Sequence, residues 1–220
     1  MKVGTDGVLL GAWAKIPEDT QNILDIGSGT GLIALMMAQR SPAELIDAVE
    51  LDDEAYVQAV ENFENSPWSD RLFCYHADFS EFSQEMDERY DLILSNPPYF
   101  PPSDSGDLTS PRKRARFTGS LSHQELIEGV SKLLSPHGTF CVIIPEAEKA
   151  NFSLICTENK LHIRRSTAVK GTPESPVKRR LLEFDFQQIA LEEDELIIEL
   201  ERHRYTDEYI NLTKDFYLKM

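Results

Sequence analysis

The alternation of short apolar runs with amphipathic stretches is the feature that most limits how this chain can fold. The clearest strands are predicted at Asn22–Ile26, Leu45–Glu50, Arg71–His76, Tyr90–Ser95 and Gly138–Pro145. Helical spacing of apolar residues predicts helices at Leu32–Arg40, Asp52–Asn62 and Ser122–Leu134. Strands that alternate with helices in this order predict a mostly parallel sheet with helices on both faces.

The pattern changes to strand-like runs from Lys160 onward. Further strands are indicated at Leu161–Val169, Arg180–Gln187 and Glu195–Leu200. They can close the sheet with an antiparallel edge strand. The longest stretch without a pattern is 100–119, and a loop of that length in a compact domain is usually functional or disordered. We expect the 220 residues to form a single domain.

Composition excludes several classes of protein. Hydrophobic residues make up 41% of the chain, which is enough for a folded core. The longest apolar run, Leu32–Ala38, is far too short to span a membrane, so we expect a cytoplasmic protein. Cys74, Cys141 and Cys156 are widely spaced and are expected to be buried thiols. The net charge of -16 argues against broad, non-specific affinity for nucleic acid, so any RNA must meet a local basic patch.

A glycine-rich turn connects the first predicted strand to the helix that follows it. Gly27, Gly29 and Gly31 lie where a strand turns into a helix N-terminus, and glycine there lets a ligand contact the backbone. The dinucleotide-binding fingerprint requires a glycine at the position of Leu32, so a dehydrogenase is disfavoured. Glu50 ends the second strand, where a carboxylate can accept hydrogen bonds from both hydroxyls of a ribose.

This turn resembles motif I of class I S-adenosylmethionine-dependent methyltransferases, with Asp25 as its leading acid and Glu50 as the acid of motif II. Asp78 and Phe79 match the place where that family contacts the adenine of the cofactor, Asp78 as an acceptor and Phe79 by stacking. The resemblance implies a cofactor site composed of Gly4, Thr5, Asp6, Asp25, Gly27, Ser28, Gly29, Gly31, Glu50, Leu51, Asp78, Phe79 and Asn96.

The tetrapeptide Asn96-Pro97-Pro98-Tyr99 follows the fourth predicted strand, at the sheet edge where open α/β folds bind their ligands. The Asn96 side-chain oxygen and the Pro97 carbonyl can each accept one N–H of an amine whose lone pair is delocalised. That nitrogen then becomes more nearly tetrahedral and can attack a methyl group, so we assign all four residues to catalysis. Tyr99 supplies a flat face for stacking on a base.

The tetrapeptide resembles the (N/D/S)PP(Y/F/W) motif of methyltransferases that act on adenine N6, cytosine N4 or protein glutamine. The two ends of the chain are similar to one bacterial family, which methylates N6 of the adenine 3′ of the anticodon in a valine tRNA. The segments that carry this resemblance are 1–13, 66–68, 121–126 and 205–217.

The resemblance to this bacterial family implies an α/β Rossmann-like class I methyltransferase fold over 1–220, with a seven-stranded, mostly parallel sheet and an antiparallel edge strand. Residues 1–20 would form a segment that covers the cofactor, and 160–220 the C-terminal strands and tail. The implied cofactor is S-adenosylmethionine. The implied partner is the anticodon stem-loop of a tRNA, recognised by a monomer that uses neither a membrane nor a metal.

Basic residues cluster despite the acidic total, and they can hold phosphates that flank a flipped-out adenine. Together with Tyr99, the expected substrate-binding residues are Arg112, Lys113, Arg114, Arg116, Lys178, Arg179 and Arg180. A second pair, Arg164 and Arg165, has the same potential. Two other functions stay open at this point: methylation of a protein glutamine, and RNA binding without turnover by a module that retains the cofactor.

Overall fold

The structure is a computed structural model that describes residues 4–98 and 121–218 of the chain. Its α-helices are α1 (Thr5–Trp13), α2 (Leu32–Arg40), α3 (Asp53–Glu64), α4 (Phe79–Glu85), α5 (His123–Leu133), α6 (Lys149–Glu158) and α7 (Asp207–Thr213). Short 3₁₀ turns cover Glu146–Glu148 and Lys214–Phe216. The strands are β1 (Asn22–Ile26), β2 (Leu45–Glu50), β3 (Leu72–His76), β4 (Tyr90–Ser95), β5 (Leu134–Pro145), β6 (His162–Lys170), β7 (Arg179–Asp185), β8 (Glu192–Ile197), β9 (Glu199–Glu201) and β10 (Arg204–Tyr205).

Within the described residues, eight strands form one sheet in the order β3-β2-β1-β4-β5-β7-β6-β8. Strand β1 pairs in parallel with β2 and β4, so the predicted α/β architecture is confirmed. The antiparallel strand is β7, which lies between β5 and β6, and β8 forms the edge in parallel with β6. The expected seven strands and antiparallel edge are therefore corrected: the chain reverses after β6, fills the gap beside β5 with β7, and leaves the edge to β8.

The edge strand β8 carries the most acidic run of the chain. Glu192, Glu193, Asp194 and Glu195 are all exposed, although they pair with β6. Three of them form ion pairs: Glu192 with Lys15 at 3.9 Å, Glu193 with Lys149 at 3.3 Å and Glu195 with Lys170 at 2.8 Å. Such charges protect an unpaired sheet edge from association with other strands.

Two apolar layers cover the two faces of the sheet, as predicted. One layer includes Leu9 of α1, Met37 of α2 and Phe63 of α3. The other includes residues of α4, α5 and α6, among them Phe82 and Phe152. Burial of these side chains from water holds the helices on the sheet, and the polar ends of the strands are left at its two edges.

Two local expectations are confirmed at the level of single residues. The helix predicted at Ser122–Leu134 is α5, and it begins with a capping box in which Ser122 and Glu125 exchange hydrogen bonds. Cys141 and Cys156 are buried thiols, and Cys74 is half-buried. No helix within 4–98 and 121–218 is long and apolar enough to cross a bilayer.

Candidate active site

The glycine turn after β1 adopts the conformation that its glycines permit. Gly27, Gly29 and Gly31 have φ values of 69°, 58° and 77°, in the left-handed region that favours glycine. The backbone N–H groups of Gly27 and Ser28 donate to the Val49 carbonyl at 2.9 and 3.2 Å, which ties the turn to the end of β2. The turn therefore lies at the carboxyl edge of the sheet, where the sequence predicted a ligand.

Glu50 connects this turn to the next strand connection. Its Oε2 accepts a hydrogen bond from the Gly29 N–H at 2.7 Å, and its Oε1 accepts from the N–H groups of Leu51 and Asp52 at 2.9 and 2.8 Å. Each carboxylate oxygen has two lone pairs, so Oε2 retains the capacity to accept from a hydroxyl group, whereas Oε1 already accepts two hydrogen bonds. The carboxylate is thus fixed by the backbone in a position suited to a ribose.

Asp25 is the buried acid of the site. Its side chain is 0% exposed, and its Oδ2 accepts one hydrogen bond, from the Ala34 N–H at 3.2 Å. The Oδ1 atom has no hydrogen-bond partner among the described residues. Burial raises the pKa of Asp25 to about 7; the bond from Ala34 opposes the shift and the negative charge of Glu50 adds to it. An orphaned, buried acid oxygen beside a glycine turn suits a positively charged ligand group such as an ammonium.

The expected adenine contacts lie one strand further along. Asp78 is the N-cap of α4, and its Oδ1 accepts from the N–H groups of Ser80 and Glu81 at 2.7 and 3.3 Å. The Ala77 N–H donates to the Glu50 carbonyl at 3.2 Å, which brings this cap beside the end of β2. Leu51 is 45% exposed there and offers an apolar surface to a flat ring.

The expectation that the Phe79 ring stacks on adenine is corrected by its burial. Phe79 is 5% exposed, because it packs in the core beside Phe82. A methyl group added at Gly129 would lie 2.4 Å from the Phe79 ring, so helix α5 approaches that ring closely. The ring therefore supports the sheet and offers no free face to a ligand.

The tetrapeptide begins directly after β4. Ser95, the last residue of β4, donates its hydroxyl to the Ile26 carbonyl at 3.0 Å, which ties this strand end to the end of β1. Asn96 is half-buried, Pro97 is buried and Pro98 is exposed. Tyr99, Arg112, Lys113, Arg114 and Arg116 lie outside the described residues.

Helix α1 lies against Asn96, a contact that the sequence did not reveal. A methyl group added at Gly7 would be 3.5 Å from Leu32 Cδ2 and 4.0 Å from Asn96 Nδ2. The first turn of α1, which contains Thr5 and Asp6, therefore lies next to both the start of α2 and the tetrapeptide. These distances are ordinary van der Waals contacts, so a small side chain would also fit at position 7 and the sequence carried no strong signal for this contact.

The late basic residues occupy three different environments. Lys178 is exposed. Arg179 Nε donates to Asp6 Oδ2 at 2.8 Å, and Arg180 makes two bonds to the Glu146 carboxylate at 2.7 and 2.9 Å. The structure thus pairs both predicted phosphate ligands with carboxylates of the protein.

Arg165 is buried in the domain, and its neighbour Arg164 is half-buried. Arg165 is 9% exposed and bonds Glu183 at 2.7 Å, and its guanidinium lies 3.5 Å from the centre of the Trp13 ring. Arg164 pairs with Glu183 and Asp185 at 3.4 and 2.8 Å. The potential for phosphate contact that the sequence suggested is corrected here, because these charges are already neutralised by buried partners.

The comparisons with known proteins agree with this geometry. The model of the methyltransferase small domain family matches residues 7–160. A tRNA1(Val) (adenine(37)-N6)-methyltransferase of Flavobacterium johnsoniae is 53% identical over 221 residues, which cover 100% of this chain and 94% of that protein. An enzyme of the same name from Bacteroides fragilis is 49% identical over 222 residues, 100% of this chain and 92% of its own. The chain belongs to this methyltransferase family.

Solved structures of other methyltransferases share the fold of this chain. A protein described as a predicted O-methyltransferase, from Agrobacterium tumefaciens, superposes with a TM-score of 0.74 at 19% identity and covers 96% of each chain. A TehB-like SAM-dependent methyltransferase from Corynebacterium glutamicum gives a TM-score of 0.57 at 15% identity, over 84% of this chain and 89% of that one. At such identities the likeness concerns the fold alone.

The residues present fit the cofactor of the family. S-adenosylmethionine carries an amino-acid group, a ribose and an adenine, and the carboxyl edge provides an acidic side chain for each. Asp25 retains an oxygen without a partner, Glu50 retains acceptor capacity, and Asp78 uses only Oδ1 for its cap. Within 4–98 and 121–218, no group of three or more His, Cys, Asp and Glu side chains could hold a metal ion.

Proposed function

We propose that this methyltransferase methylates N6 of the adenine at position 37, 3′ of the anticodon, in a valine tRNA. The observation that carries the proposal is that the expected cofactor residues and the tetrapeptide meet at one edge of the sheet. Asp25 and Glu50 lie at the carboxyl ends of β1 and β2, and Asn96 follows β4 at the same edge, beside α1. The relatives at about half identity over the full chain bear the name of this activity.

The cofactor is proposed to lie along the glycine turn. Asp25 would face the ammonium of its amino-acid group, Glu50 its ribose hydroxyls and Asp78 its adenine amine, with Leu51 against the ring. Gly27, Ser28, Gly29 and Gly31 let the backbone approach it, and Gly4, Thr5 and Asp6 cover it from the first turn of α1. S-adenosylmethionine supplies an electrophilic methyl carbon bonded to a positively charged sulfur.

Asn96 and Pro97 are proposed to prepare the nitrogen that is methylated. The Asn96 side-chain oxygen and the Pro97 carbonyl each accept one N–H of the adenine amine, so its lone pair is withdrawn from the ring and faces the methyl group. Pro97 and Pro98 stiffen the turn, because their φ angles are fixed near −65°. Formation of the nitrogen–carbon bond would break the bond between the methyl carbon and the sulfur of the donor, the sulfur would keep that electron pair, and one proton of the amine would pass to water. Catalysis then rests on positioning and preorganised acceptors, without a strong base.

RNA is proposed to bind from the side of Tyr99, whose ring would stack on the target base. Phosphates would be held by the sequence cluster Arg112, Lys113, Arg114 and Arg116, together with the exposed Lys178. An anticodon loop is already single-stranded, so turning out its base requires less energy than from a duplex. We further propose that the protein acts as a monomer in the cytoplasm.

The test is methyl transfer to a defined RNA. Unmodified valine tRNA is incubated with labelled S-adenosylmethionine, and nucleosides are analysed; a transcript with guanine at position 37 serves as the substrate control. We expect N6-methyladenosine from the wild type and a loss of about 10²-fold or more with Asn96→Ala, because the amine is then misplaced. Asn151→Ala, which removes an exposed asparagine of α6, is the matched protein control.

Four results would contradict the proposal. Methylation of both transcripts alike would exclude position 37 as the target. Full activity of Asn96→Ala would remove the assigned role of the tetrapeptide. Transfer to a glutamine of a protein substrate with none to tRNA would favour the alternative amide substrate, and RNA binding without any product would favour a non-catalytic module.

A further inference from the structure

The two ends of α1 are attached to the domain in different ways. At the C-terminal end, the Trp13 indole donates to Thr167 Oγ1 at 2.7 Å, and its carbonyl accepts from Arg165 at 3.1 Å. Arg165 also stacks on the Trp13 ring, and all three side chains are buried. This end is therefore a rigid anchor in the core.

The N-terminal end of α1 is attached at the surface by an ion pair. Asp6 accepts from Arg179 at 2.8 Å, and their side chains are 25% and 32% exposed. The N-cap residue, Gly4, has no side chain that could stabilise this turn. Gly7, the next residue after Asp6, lies against Leu32 and Asn96. The ion pair thus holds the turn that contacts both halves of the site.

Arg179 is well placed to act as a fixed point. It begins β7, between Pro145 of β5 and Val169 of β6. The preceding residue, Lys178, accepts a backbone hydrogen bond from Glu146 and donates one to Val169, both at 3.1 Å, so the backbone at this point is held on both sides. The adjacent Arg180 is bonded by both oxygens of Glu146 and is not available to replace it. Asp6 lies in the first turn of a helix, where a negative charge is favourable even without a partner.

We propose that Arg179 is a positioning residue for the cofactor: through Asp6 it keeps the first turn of α1 against Asn96 and over the glycine turn. This inference rests on the proposed function and changes one part of the sequence-based expectation, in which Arg179 held RNA. Its loss weakens cofactor binding before any RNA is present. A half-exposed ion pair predicts a weakening of roughly two- to fivefold.

The experiment is calorimetric binding of S-adenosylhomocysteine to the full chain without RNA. We compare the wild type with Arg179→Ala, Asp6→Asn, the double variant, Arg179→Lys, and the charge exchange Asp6→Arg with Arg179→Asp. Lys170→Ala is the matched control, because it removes an ion pair with Glu195 of 2.8 Å at the same end of the sheet without touching α1. Thermal unfolding of each variant reports its folding.

We expect the two single variants to weaken binding by the same factor, and the double variant to be no weaker than either, because both remove one interaction. Arg179→Lys and the charge exchange should restore part of the affinity. The difference between wild type and Arg179→Ala should shrink at 0.5 M salt, since screening weakens an exposed pair. A loss of side-chain packing, which salt does not screen, would leave this difference unchanged.

The inference is overturned if Arg179→Ala binds S-adenosylhomocysteine like the wild type, or if the effects of the two single variants add. Loss of affinity for an anticodon stem-loop alone would return Arg179 to the role of a phosphate ligand. A wild type that binds no S-adenosylhomocysteine would instead contradict the proposed function, and with it the basis of this inference.

Discussion

The buried carboxyl of Asp25 makes cofactor binding dependent on pH. Burial raises its pKa to about 7, so the free protein carries a proton there for about half of the time at pH 7. The ammonium of the bound ligand favours the ionised form and lowers this pKa. Binding at pH 7 therefore releases about half a proton per ligand, and affinity rises with pH.

The magnitude follows from the ionised fraction. With a pKa of about 7, roughly 3% of the Asp25 carboxyls are ionised at pH 5.5 and about three quarters at pH 7.5. The association constant for S-adenosylhomocysteine should therefore increase about 25-fold between these two values. The range ends at pH 7.5 because the α-amino group of the ligand itself deprotonates near pH 8.

Calorimetry in buffers of different ionisation enthalpy measures both the affinity and the proton release. Asp25→Asn should bind more weakly at pH 7.5 and lose most of the pH dependence, to less than about threefold. Asp47→Asn, which removes another buried carboxyl with a raised pKa, is the control and should keep the dependence. An equally steep dependence in Asp25→Asn, or proton uptake on binding by the wild type, would refute this reasoning.

Two further predictions concern stability. Gly31→Ala places a methyl group 2.3 Å from the buried Phe63 ring at a φ of 77°, so the free energy of unfolding in urea should fall by about 2–5 kcal/mol. Gly171→Ala is the control and should change this free energy little, because its nearest neighbour is 3.8 Å away. Equal stability of the two variants would contradict the close packing at Gly31. Burial raises the pKa of Asp47 from 3.8 to about 6. Between these two pH values the folded state binds more protons than the unfolded state, so the stability of the wild type should fall as the pH rises. Asp47→Asn should therefore be more stable than the wild type by about 1–3 kcal/mol at pH 7.5, and by less at pH 4.5. The same gain at both pH values would exclude this carboxyl as its source.

The strands around the site were predictable because their apolar runs are continuous. The bounds of β1, β2, β4 and α2 agree with those read from the sequence. In a parallel sheet both faces are covered, so each strand is a run of apolar residues between polar ends, and the position of a ligand follows from the ends. The order of the motifs along the chain is therefore enough to place the site at the carboxyl edge of the sheet.

The C-terminal part of the sheet was less predictable. Strand β8 begins at Glu192, three residues before the predicted start, because an exposed edge strand needs no apolar pattern. The place of β7 between β5 and β6 depends on strand partners, which local hydrophobicity does not encode. Helix α4 was missed for a related reason: it is one short helix whose buried face is completed by α5.

Within the site, too, some features could be predicted from the sequence and others could not. Asp25 and Glu50 could be assigned from residue type and position, since only their strand ends had to be known. The burial of the Phe79 ring and the contact of Gly7 with Asn96 join residues far apart in sequence, and they follow from packing alone. The pairing of Arg179 with Asp6 is of this kind, because the two residues are separated by 173 positions.

The most direct test of the account is a crystal structure of the protein with S-adenosylhomocysteine and the anticodon stem-loop of the valine tRNA. We expect the amine of adenine 37 within hydrogen-bond distance, about 2.7–3.2 Å, of both the Asn96 side-chain oxygen and the Pro97 carbonyl, with the ligand sulfur on the side of the glycine turn. A target amine bonded by other residues, or a sulfur remote from Asn96, would contradict it.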